Sequence, residues 1–207
     1  MKQSTGSRIT FLGICIFVVL YFVSACFYPG GSQADKAVKG FSWLNNFWCD
    51  LLNEQAKNGQ YNAARPIAIS SWLVLCFSIM IFWYFLPSLL QVNDVVKKTI
   101  RFCGVAAMLV STLLFTQLHD MVIHTASLLG LIAICGTFAG FYKSGYRRFL
   151  YTGLFCLALM CLNYFIMVSD TFATYLPVIQ KITFVAVLVS VSFVNRELYR
   201  LAQQQAN

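Results

Sequence analysis

The sequence predicts an all-α membrane protein: a bundle of six transmembrane helices, N-in and C-in, with a short amphipathic helix in the first outer loop. Three observations predict it. Hydrophobic residues make up 59% of the 207-residue chain and charged residues 11%, against about 25% charged in a soluble domain. Six stretches approach the ~20 apolar residues that a helix needs to cross a hydrocarbon core about 30 Å thick. Lys and Arg alternate between loops as the positive-inside rule requires. A single membrane domain over 1–207 follows, with no internal repeat or low-complexity tract.

The spans are taken in order. The first, Ile9–Tyr28, follows Lys2 and Arg8 and is stopped by Pro29-Gly30-Gly31. Its Val23-Ser24-Ala25-Cys26 resembles a lipoprotein cleavage box, so removal of a signal peptide before Cys26 is the rival reading of this span. The second, Pro66–Leu86, opens on a proline whose missing N–H is harmless in a first helical turn. Pro87 ends or kinks it near its exit. The others are Ile100–Leu118, Met121–Tyr142, Phe149–Val168 and Tyr175–Val194, before a frayed Gln203–Asn207 tail.

Orientation comes from charge. Lys2 and Arg8, then Lys97, Lys98 and Arg101, then Lys143, Arg147 and Arg148, then Arg196 and Arg200 fall on one side. Lys36, Lys39, Lys57 and Arg65 share the long first loop, 29–65, on the other side, while the short loops at Asp120 and Asp170 carry no Lys or Arg. Both termini are therefore expected inside and loop 29–65 outside, in a bacterial inner (plasma) membrane. The net charge of +8 reads as loop bias toward anionic headgroups. Nucleic acid is not an expected partner, because no basic, aromatic-interleaved module is present. Most of the eight Cys lie in apolar spans, where Cys acts as a small hydrophobe. With no CxxC pair, a zinc ribbon or thioredoxin-type site is not expected. Cys26 and Cys49 share the outer side, which leaves a disulfide between them open in an oxidising compartment.

The first loop is the most informative segment. On a helix from Ser42 to Glu54, Phe41, Leu44, Trp48, Leu51 and Leu52 form an apolar stripe, and Ser42, Asn46, Asp50 and Asn53 a polar one. One reading is a packed lid with Trp43, Phe47 and Trp48 as interface anchors. The other has Asp50 and its Asn neighbours pointing into an outward cavity. Asn58-Gly59 is the turn that returns the chain to the second span. The pattern Ser42…Asn46…Asp50-Leu51…Asn58-Gly59…Asn62 resembles the loop of an uncharacterised class of bacterial six-span proteins, similar in layout to the DRAM/Sfk-type family. The resemblance implies six helices and an outward-facing loop that is conserved in the family. It implies no settled chemistry, and Cys49-Asp50-Leu51 stands where that pattern has a Ser-Asp pair.

A polar layer is expected in the outer half of the bundle. Lys181 lies roughly 10 Å into the sixth span at 1.5 Å per residue. Its ammonium either snorkels to the interface or pairs with Asp170, Asp120 or Asp50. A retinal-type Schiff base is disfavoured by the lack of a mid-membrane carboxylate and a seventh span. Asn163, Thr112, Thr116, Gln117, His119, Asp120, His124, Thr125 and Gln180 lie at similar depth. Such groups either line an outward-open pocket or only glue helices together. Candidate ligand-binding residues are Asn46, Asp50, Asn53, Gln117, Asn163, Gln180 and Lys181.

No cofactor is favoured. The alternative is zinc on His119, Asp120 and His124, with Asp50 completing a catalytic set for hydrolysis of a lipid amide or ester. GxSxG, P-loop and dinucleotide fingerprints are absent from the sequence. The leading expectation is thus a membrane protein that binds a lipid or small amphiphile. The alternatives are a metal-dependent intramembrane hydrolase, a small transporter, and an assembly partner using the Gly136…Gly140 seam, with a homo-oligomer left open.

Overall fold

The computed structural model describes residues 2–169 and 172–204. Among them the chain is all-helical, with six α-helices: α1 Gln3–Cys26, α2 Arg65–Phe85, α3 Asp94–Ser111, α4 His119–Lys143, α5 Arg147–Ser169 and α6 Leu176–Gln204. Five of these, all but α3, are long and apolar enough to cross a membrane. Large apolar side chains stay exposed along each, among them Leu12, Phe77, Leu128, Phe155 and Val185. Such faces suit a lipid environment, since water-soluble surfaces rarely expose large apolar patches.

Helix α3 departs from the expected third span, Ile100–Leu118. Asp94, Lys97, Lys98 and Arg101 occupy its N-terminal half, and it stops at Ser111. Residues 112–118 are turns. There Thr112 Oγ1 donates to Leu109 O at 2.6 Å and Thr116 Oγ1 to Leu113 O at 2.7 Å. These hydroxyls take up carbonyls locally, in competition with a continued helix. Helix α6 runs past the expected end at Val194, through Arg196 and Arg200 to Gln204.

The chain divides into two compact units. The first comprises Met1–Ile16, Trp72–Gly153 and Ser190–Asn207. Its core is Phe82, Leu86, Leu89, Leu90, Ile100, Phe141, Val194 and Leu198. Glycines let its helices approach closely. A Cβ on Gly104 would strike the Trp83 ring, one on Gly136 would lie 2.8 Å from Ile100 and one on Gly140 2.7 Å from Leu90. The Gly136…Gly140 seam therefore packs within the chain. Polar ties join α1 to α6: Asn195 Nδ2 donates to Ser7 O at 2.9 Å, and Gln3 Nε2 to Leu198 O at 3.0 Å.

The second unit comprises Phe17–Ser71 and Leu154–Val189. Loop 29–65 belongs to it and is called the cap below. The amphipathic helix expected over Ser42–Glu54 is replaced by turns and one short 3-10 helix, Trp48–Leu52. The physical reason is local. Ser42 N donates to Asn46 Oδ1 and Phe47 N to Asp50 Oδ2, both at 2.9 Å, so side chains take amide groups from the backbone ladder. Leu44, expected on the apolar stripe, is 67% exposed, whereas Leu51 and Leu52 are buried. Isolated bridges Gly30↔Lys39 and Gln55↔Tyr61 tie the cap together. Asn58-Gly59 makes the anticipated turn, with Gly59 at φ +83°.

Candidate functional site

The cap is organised around one buried carboxylate. Asp50, 2% exposed, sits in the first turn of the 3-10 helix. Its Oδ2 accepts from Phe47 N at 2.9 Å and Asn46 Nδ2 at 3.0 Å, and Lys57 Nζ stands 3.4 Å from Oδ1. Asn46, fully buried, also donates to Gly31 O at 2.9 Å. Gly31 has φ +80°, and a Cβ there would strike Asn58 N and lie 2.6 Å from Lys57 C. The strand of the cap crossing Gly31 thus needs a residue without a side chain.

The other end of the 3-10 helix is held by Asn62. Its buried Nδ2 donates to Asp50 O at 3.2 Å, Leu51 O at 3.1 Å and Asn53 O at 2.9 Å, while Ala64 N donates to its Oδ1 at 3.1 Å. Arg65 Nε donates to Leu52 O at 3.1 Å, and its guanidinium pairs with Glu54 at 3.2 Å. Every carbonyl from 50 to 53 is therefore satisfied, as orphan carbonyls at a helix end must be.

Helix α6 meets this cap through two adjacent residues. Lys181 Nζ donates to Pro177 O at 3.0 Å and to Asn46 O, and lies 5.8 Å from the centre of the Phe41 ring. Gln180 Oε1 accepts from Trp48 N at 3.3 Å. Trp48 stacks on Tyr21 of α1 with centroids 4.6 Å apart and stands 5.0 Å from Phe184 of α6. The Tyr21 hydroxyl donates to Trp48 O. Phe17, fully buried, completes the ring cluster at 5.6 Å from Phe184. Lys181 therefore binds carbonyls, and no ion pair of Lys181 is present among the described residues. Asp170, one of its expected partners, lies outside the described residues.

Electrostatics isolates Cys49. Burial pushes its thiol up to about 11, the Asp50 charge adds to that, and Lys57 and Lys181 oppose it. All eight cysteines are free, so Cys26 and Cys49 do not pair.

The expected site residues separate into groups. Asn46, Asp50, Gln180 and Lys181 come together in the cap assembly. Asn163 lies in the same unit and joins α5 to α6, donating to Leu159 O at 2.9 Å and Thr183 Oγ1 at 2.6 Å. Asn53 contributes its carbonyl, and its side chain is exposed. Gln117 is exposed on the turn after α3. At the start of α4, His119 Nδ1 lies 3.1 Å from Asp120 Oδ1, with Asp120 94% exposed. His124 is exposed. No group of three His, Cys, Asp or Glu side chains suited to a metal ion occurs among the described residues, so the zinc alternative lacks an assembled ligand set.

Sequence reasoning overlooked the structural weight of Asn62, Lys57, Arg65 and Tyr21. Asn62 was legible as the Asn of an Asx turn just ahead of Arg65-Pro66, where a helix begins. Tyr21 carried no local signal, because its partner Trp48 lies 27 positions away along the chain, and Lys57 none, because its seven-residue spacing from Asp50 crosses irregular backbone. Comparison with family models, curated proteins and solved structures returned no match.

Proposed function

We propose that the protein is a six-span membrane protein, N-in and C-in, whose outer cap and Lys181 bind a membrane lipid or small amphiphile without catalysing a reaction. In this reading α3 and the turns after it make the remaining crossing, and the cap lies on the outer face of the plasma membrane. The basic residues at both termini and after α2 and α4 support that orientation. The resemblance of loop 41–66 to a six-span class similar in layout to the DRAM/Sfk-type family implies the same arrangement.

The observation that carries the binding reading is the state of Asp50. It is the one buried carboxylate of the cap, and both its oxygens are engaged in holding the cap's own backbone and side chains. A general base has to come within hydrogen-bond reach of a substrate proton, and Asp50 is buried among the cap's own groups. Asp50 instead preorganises a rigid lid beside an aromatic cluster, which is a binding element.

Lipid mass spectrometry and elemental analysis of the purified protein test this. One lipid class should be enriched over the bulk extract and lost in Lys181→Ala, which still inserts. An extract identical to the bulk membrane would remove the binding reading. Near-stoichiometric zinc that disappears in His119→Ala and His124→Ala would replace it with the hydrolase. Orientation is tested on intact cells: external protease should cut near the exposed Gln33, Lys36 and Lys39 and spare a C-terminal tag.

A further inference from the structure

Within the second unit, two buried side-chain atoms have no hydrogen-bond partner among the described residues: Nε1 of Trp48 and Oδ1 of Asn163. Neither can be relieved by reassigning atoms. An indole N–H is a donor only. The Asn163 amide is fixed because its nitrogen donates to Leu159 O, a carbonyl that can only accept. Both residues are otherwise engaged: Trp48 through its N–H to Gln180 and its carbonyl to Tyr21, Asn163 through Leu159 and Thr183. Unfilled donors and acceptors in apolar surroundings are rare and costly.

The α6 residues that contact Trp48 and Asn163 share one face of that helix. At 3.6 residues per turn, positions 180, 183 and 184 lie together. Gln180 and Phe184 contact Trp48, and Thr183 holds Asn163. The surrounding wall is aromatic: Phe17, Tyr21 and Phe184. On α5, Met160 and Met167 stand three before and four after Asn163, share its face and are 46% and 58% exposed, giving an apolar approach.

We infer that Trp48 Nε1–H and Asn163 Oδ1 form the polar end of a site for a neutral, hydroxyl-bearing lipid, with the aromatic cluster along its apolar part. This rests on the binding reading above and names its ligand class. The donor–acceptor pair decides the class. A hydroxyl accepts from the indole and donates to the amide oxygen. A phosphate or carboxylate can accept from the indole but sets negative charge against the amide oxygen. An ammonium can donate to that oxygen but has nothing to offer the indole N–H.

Native mass spectrometry of the full chain released from phosphatidylcholine nanodiscs tests this, with discs doped by either dioleoylglycerol or the anionic, hydroxyl-free dioleoylphosphatidylmethanol. One dioleoylglycerol per chain is expected on the wild type, with no enrichment of dioleoylphosphatidylmethanol. Trp48→Phe and Asn163→Leu should each weaken it about fivefold, the worth of one ordinary hydrogen bond. The methyl ether of dioleoylglycerol, which cannot donate, should bind wild type about fivefold more weakly, so the test survives a variant that misfolds. Equal binding of alcohol and ether would overturn the inference and indicate that only an ordered water fills the gap. Preference for dioleoylphosphatidylmethanol would also overturn it, and both results leave the broader binding reading standing. No adduct with any lipid would remove both.

Discussion

Replacing Asp50 with Ala removes the acceptor of two short hydrogen bonds, from Phe47 N and Asn46 Nδ2. Bonds to a charged group are worth about 1.5–3 kcal/mol each. Lys57 adds little, because its side chain is 32% exposed and turns to water at a cost under about 1 kcal/mol. Asn46 keeps its bond to Gly31, which trims the loss. The cap should therefore lose about 3–4 kcal/mol of local stability, two to three orders of magnitude in its opening equilibrium. Hydrogen exchange of peptides across 41–62, read by mass spectrometry in nanodiscs, measures that directly. Asp50→Asn retains an acceptor oxygen and the shape, and should cost only about tenfold in protection. The α-helices should exchange as in the wild type in both variants. If Asp50→Ala left the cap as protected as the wild type while abolishing ligand binding, the carboxylate would serve chemistry and the architectural argument would fail.

Other outcomes follow from the same contacts. Lys181→Met keeps the apolar stem but drops the bond to Asn46 O; cap protection should fall about tenfold, with membrane insertion unchanged by fractionation. Cys49, with its thiol pushed up to about 11, should resist maleimide at neutral pH while the exposed Cys26 reacts, as counted by intact mass. Because the folded thiol holds its proton longer than the unfolded one, its contribution to cap stability is full below the ordinary thiol value near 9 and is lost as pH rises toward 11. Protection factors over 41–62, which remove the base-catalysed intrinsic rate, should fall across that window in the wild type and less so in Cys49→Ala. Gly104→Ala drives a methyl group into the rigid Trp83 ring; a loss of about 1–3 kcal/mol should appear as a lower melting temperature in detergent.

How far the sequence was legible follows from the range of the forces involved. The long apolar helices were readable because lipid imposes one length and one composition on them. The exception was α3, where Asp94, Lys97, Lys98 and Arg101 enter the helix and hydroxyls at 112 and 116 take local carbonyls. Within the cap, the periodicity of residues 41–54 suggested a helix, yet Asn46 and Asp50 bond the backbone in ways that periodicity does not register. Asp50, Asn46 and Lys181 stood out as polar residues in apolar settings. Their mutual arrangement did not, because Lys181 meets a carbonyl from a segment far away in the chain.

That separation has a consequence for biosynthesis. Asn46 and Lys181 are 135 positions apart, so the cap leaves the ribosome long before the helix that seals it. A lysine within an apolar helix costs up to about 2.5–3.5 kcal/mol to insert at the membrane centre, and the carbonyl that accepts its ammonium has by then already been made. Sealing is therefore the closing step of assembly, performed by the last helix on the first loop. A nascent chain that has not reached α6 lacks the Lys181 and Gln180 contacts of its cap.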